Sequence, residues 1–157
     1  MNIDLVIGDP LRHSIINQDY ISVAELTVAI SLAHTNIASY LLLHHNVLAD
    51  RSAIDPVVYS ILMSSDEGNA HERRDQLIQM DEFQFILPFY RQSLFFLLEP
   101  VEEWVVDDGI RLIENSRLCF EIFQATLQSL GIEYHVIGKD TKPILERVAV
   151  VTKLVGF

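Results

Sequence analysis

Apolar positions along this chain gather into two kinds of run, long helical stretches and short unbroken ones. Ser22 and Glu25 have the S-x-x-E spacing of a capping box, in which each side chain reaches a backbone N–H of the first turn. A long apolar helix is therefore expected from there to about His44. Asn46 breaks it. Val47, Leu48 and Ala49 then form a short apolar run that ends in Asp50-Arg51-Ser52. Asp55-Pro56 restarts a helix through Met63, with Pro56 suited to the first turn, where its missing N–H costs nothing. Residues 64–69 (SSDEGN) read as a polar loop and residues 71–80 as a charged, exposed helix.

The second half repeats the alternation. Residues 93–99 (SLFFLLE) are a continuous apolar run closed by Pro100, the pattern of a strand buried on both faces. Residues 102–108 are acidic and carry the only tryptophan, Trp104. A helix is expected from about Gly109 or Ile110 to Leu130, with Ile113, Phe120, Phe123, Leu127 and Leu130 near one face and Gly131 as the residue that ends it. Residues 133–137 are the next strand. Gly138 then turns into a last helix, capped by Asp140 or Thr141 and running to about Leu154. Residues 3–7 are one more strand candidate.

Strands alternating with helices in this order predict an α/β fold, a parallel sheet flanked by helices in three layers. No break in composition divides the chain into two domains. In open parallel sheets, ligands bind beyond the carboxyl ends of the strands. Three such ends are Asp50-Arg51-Ser52, Glu99-Pro100 and Gly138-Lys139-Asp140. On neighbouring strands they would bring a carboxylate, a guanidinium and an ammonium to one rim, a set suited to magnesium, phosphate and phosphoryl transfer. The plainer alternative is that charges follow strands because loops are solvated.

Composition narrows the picture. The chain has 157 residues, half of them hydrophobic and 21% charged, which excludes a disordered or low-complexity protein. Its mean hydropathy of +0.25 is on the apolar side. Twenty-two acidic residues against eleven basic ones give a net charge of -11, which repels a phosphate backbone and argues against nucleic acid as a partner. The single cysteine, Cys119, excludes a disulfide framework and a four-thiolate zinc site. It fits a reducing compartment, so a cytoplasmic location is expected. No membrane association is expected either, because the one stretch long enough to span a bilayer, residues 23–43, contains Glu25, His34 and Asn36. His44-His45 have no partner at metal-ligand spacing. Cys119 and the aromatic cluster of residues 83–96 read as core.

The run Asp50-Arg51-Ser52-Ala53-Ile54-Asp55-Pro56-Val57-Val58-Tyr59 is more specific. Its D-R-S-x-x-D-P-x-x-Y pattern resembles the signature of the NadR/Ttd-like AAA-type P-loop domains, which include nicotinamide riboside kinase-like and nucleoside kinase-like NTPases. Residues 21–34 resemble the family's L-E-M-Q-x-A-I helix, with Leu26-Thr27 in place of Met-Gln. Residues 90–99, the W-x-x-D-x-x-R segment at 104–111 and Glu146-Arg147-Val148 follow in the family's order.

The resemblance implies a P-loop NTPase architecture with ATP and Mg2+ as cofactors and a nucleotide or other small molecule as phosphate acceptor. It implies that Asp50 stands near the metal and the acceptor hydroxyl, and that Arg51 contacts phosphate. Asp55 and Tyr59 brace that loop or contact substrate, Asp108 and Arg111 belong to a lid-like segment, and Lys139 and Arg147 border the nucleotide base. A local Asp50–Arg51 ion pair and an N-capping role for Asp55 are the structural alternatives.

The G-x-x-x-x-G-K-[ST] loop of that family is absent from the sequence. Residues 1–14 are a divergent segment and 15–157 correspond to the rear of such a domain, so the expected architecture is N-terminally truncated and catalytically inactive. The alternative is a non-catalytic interaction or regulatory module, with a protein partner or a homo-oligomer covering an exposed sheet edge. Residues 23–43 and 94–98 are expected to carry the uncovered apolar surface.

Overall fold

The structure, a computed structural model, describes residues 3–6, 23–43, 46–49, 51–64, 66–101, 103 and 115–156. Four short strands and six helices form among them: β1 (Ile3–Val6), α1 (Val23–Leu43), β2 (Asn46–Ala49), α2 (Ile54–Leu62), α3 (Glu67–Ile78), α4 (Asp81–Tyr90), β3 (Phe95–Leu98), α5 (Ser116–Ser129), β4 (Tyr134–Ile137) and α6 (Ile144–Val155).

The three-layer parallel sheet of a P-loop domain is not what these elements build. Among the described residues the strands form two separate parallel pairs. β1 lies beside β2 with Ile3 opposite Asn46, and β3 lies beside β4 with Phe95 opposite Tyr134. Each strand is four residues long, so neither pair offers a sheet face broad enough for a layer of helices. The helices bury one another instead. The expected alternation of strand and helix is present along the chain, but it does not close into one sheet.

The core is where five helices meet. α2 packs against α1, α3 and α5, and α1 packs also on α4. Leu26 and Ile30 from α1, Ile54, Val57 and Val58 from α2, Leu77 from α3, Phe83 and Ile86 from α4, and Leu127 from α5 are all buried. The burial of Leu26, Ala29 and Ile30 shows that α1 is a core helix on this side, with Val28 and Leu32 outward; it is not left bare as expected. His34 and Phe85 meet edge to face, with ring centroids 4.9 Å apart, and tie α1 to α4.

Two further elements depart from the sequence expectation. α3 begins at Glu67, within the expected polar loop, because the Asp66 carboxylate accepts the Asn69 N–H at 2.9 Å and caps it. That helix is also not exposed all round, since Ala70, Arg73 and Leu77 line up on a buried stripe. The strand over residues 93–99 was expected to be buried on both faces, yet Phe95, Phe96 and Leu97 are half-buried and Leu98 is 56% exposed.

Gly131, with φ of +67°, turns the chain after α5 as expected. Beside it the Arg91 Nε–H donates to the Leu130 carbonyl at 2.8 Å, placing a cation at the negative end of α5. α6 begins after Pro143 with no side-chain cap, so neither Asp140 nor Thr141 caps it. No helix among the described residues is long and apolar enough to cross a membrane.

Stability should therefore rest on the helical core and not on the C-terminal helix. In urea denaturation, Leu77→Ala is expected to cost about 2–5 kcal/mol by leaving a cavity. Ile144→Ser, at an exposed site, should shift stability by no more than about 0.5 kcal/mol.

Candidate functional site

The segment that joins β2 to α2 carries the densest polar cluster linked to the core. α2 is nine residues long and its first residue, Ile54, is fully buried, so the N–H groups at its start need partners that water cannot supply. Ser52 and Asp55 supply two of them. The Ser52 N–H donates to Asp55 Oδ2 at 2.9 Å and the Ile54 N–H donates to Ser52 Oγ at 3.2 Å. The pair resembles a capping box with Asp in the acidic position, set one residue ahead of Ala53, the cap residue of α2, which makes no side-chain bond of its own. The Ser52 hydroxyl also donates to Asp55 Oδ2, at 3.2 Å. The third N–H, that of Ala53, donates to the phenolic oxygen of Tyr90 at 2.9 Å, which fastens α4 to the start of α2.

Arg51 completes the arrangement. Its Nη1 donates to Asp55 Oδ1 at 2.9 Å and lies 3.5 Å from the Tyr59 hydroxyl one helical turn further on. Asp55 thus accepts from a backbone N–H, a hydroxyl and a guanidinium. Burial pushes its carboxyl above the ordinary carboxylate range, which Arg51 and the Ser52 donors offset only in part. Burial disfavours the Arg51 cation, but the Asp55 carboxylate and the Tyr59 oxygen outweigh it and hold the guanidinium above its usual value. Burial raises the Tyr59 phenol against the pull of Arg51. It pushes Tyr90 up to about 12 and the neighbouring Cys119 thiol up to about 11.

Of the residues expected to form a site, the structure brings together Arg51, Asp55 and Tyr59. Asp50, Asp108 and Arg111 lie outside the described residues. Lys139 and Arg147 stand elsewhere, beyond the β3–β4 pair. There the Lys139 N–H donates to Glu99 Oε2 and Arg117 reaches Glu99 Oε1, both at 3.0 Å. The Lys139 N–H, aided by Arg117, keeps the Glu99 carboxyl below its ordinary range. The Arg147 Nε–H donates to the Thr141 carbonyl at 2.6 Å.

A single rim shared by the ends of β2, β3 and β4 is therefore not formed on one sheet, because β2 pairs with β1 while β3 pairs with β4. Glu99 and Lys139 do converge, as the parallel register of their strands requires.

Chemically the cluster is suited to holding a helix start closed. Asp55 cannot take a proton or a metal ion without giving up the cap, and among the described residues no group of His, Cys, Asp and Glu could hold a metal. Arg51 is the member that still faces water, with 37% of its side chain exposed.

Ser52, Tyr90 and Cys119 did not figure among the expected site residues. Ser52 was legible in the S-x-x-D spacing to Asp55. Tyr90 stands 37 positions from Ala53, and no local pattern announces that contact. No family model, no curated protein and no solved structure matches this chain.

Two outcomes check the cluster. Asp55→Asn should cost about 2 kcal/mol in urea, since it leaves the part-buried Arg51 cation without its carboxylate and weakens the cap. Adding Arg51→Met should recover part of that loss. For Cys119 the raised thiol value means a protonated, sheltered sulfur at pH 8. Labelling with a disulfide reagent should be slow in the native chain and complete quickly once denaturant is added; immediate native labelling would contradict the packing.

Proposed function

We propose that this chain is a non-catalytic protein-interaction module that works through its C-terminal strand and helix region. The observation that carries this reading is α6. Ile144 is 74% exposed, Leu145 78% and Val148 50%, and no residue of the helix is buried. A helix rich in apolar residues on most of its sides is ordinarily covered, and an uncovered patch of this kind marks an interaction surface. Leu98 and Val136 add exposed apolar side chains on β3 and β4. The net charge of -11 disfavours nucleic acid and anionic membranes as partners of the chain as a whole, and a protein is the partner proposed. The single cysteine supports a cytoplasmic location.

A second reading keeps the resemblance to nucleoside kinase-like NTPases. In its favour Arg51 stands at the exit of β2, braced by Asp55 and Tyr59, where that family contacts phosphate. ATP with Mg2+ would then be the ligand, and Asp50, Arg111, Asp108, Lys139 and Arg147 would join the site. We rank it second because the Asp55 carboxylate is already engaged by the Ser52 N–H and hydroxyl and by Arg51, and because the sequence contains no phosphate-cradling glycine loop.

Two measurements separate the readings. A dye that fluoresces on apolar surfaces should bind the native chain, and the triple change Ile144→Ser, Leu145→Ser, Val148→Ser should remove most of the signal. A dye-silent native chain contradicts the first reading. Calorimetric titration with Mg-ATP should show no sub-micromolar binding; such affinity would overturn it in favour of the second.

A further inference from the structure

No further inference is drawn: the strongest candidate, the apolar surface patch that Ile144, Val148 and Val155 form along one side of α6, carries nothing beyond the interaction-module reading, because nothing in the structure shows what covers it.

Discussion

The buried start of α2 is the constraint on which the rest of this structure depends. A helix of nine residues is too short to hold itself together in water, and this one survives because Ile54, Val57 and Val58 are enclosed by α1, α3 and α5. Enclosure removes water from the three N–H groups that open the helix, and each must find a protein acceptor. Asp55, Ser52 and Tyr90 supply them, and Arg51 offsets part of the penalty that burial places on the carboxylate. Core packing and polar closure are therefore one requirement met at one place.

That explains how the D-R-S-x-x-D-P-x-x-Y run should be understood. Its regular spacing reflects a loop-to-helix junction: Ser52 and Asp55 at capping distance, Pro56 in the first turn, and Arg51 between the Asp55 carboxylate and the Tyr59 hydroxyl. The same residues that a kinase-like resemblance assigns to phosphate and substrate are, in this chain, spent largely on one another. The exposed face of Arg51 is what remains available to solvent.

Legibility in the sequence followed the range of the interactions. Locally encoded features were readable: the long helix behind Ser22 and Glu25, the helix restart at Asp55-Pro56, the turn at Gly131 and the two apolar runs that became β3 and β4. α4 was not assigned, because the run DEFQFILPFY is apolar on nearly every side and Pro88 reads as a stop, although the helix continues two residues past it. The buried stripe of α3 was masked by its high charge, with Arg73 on the inward face. Strand partnership was the costliest miss. Four short apolar runs fit one sheet as well as two pairs, and only contacts between distant segments decide between them. The candidate site divided in the same way: Arg51, Asp55 and Tyr59 lie within nine residues at one loop-to-helix junction, whereas Tyr90 comes from another element altogether.

The most direct test is native-state amide hydrogen exchange at the start of α2. If the cap is the closure described, the Ser52 and Ala53 amides exchange only through global unfolding, as slowly as those of Val57 and Val58, and Asp55→Asn speeds the Ser52 amide selectively. If instead this segment is an open loop poised for a ligand, both amides exchange at the rate of exposed chain while Val57 and Val58 stay protected, and the central role given to the cap is wrong.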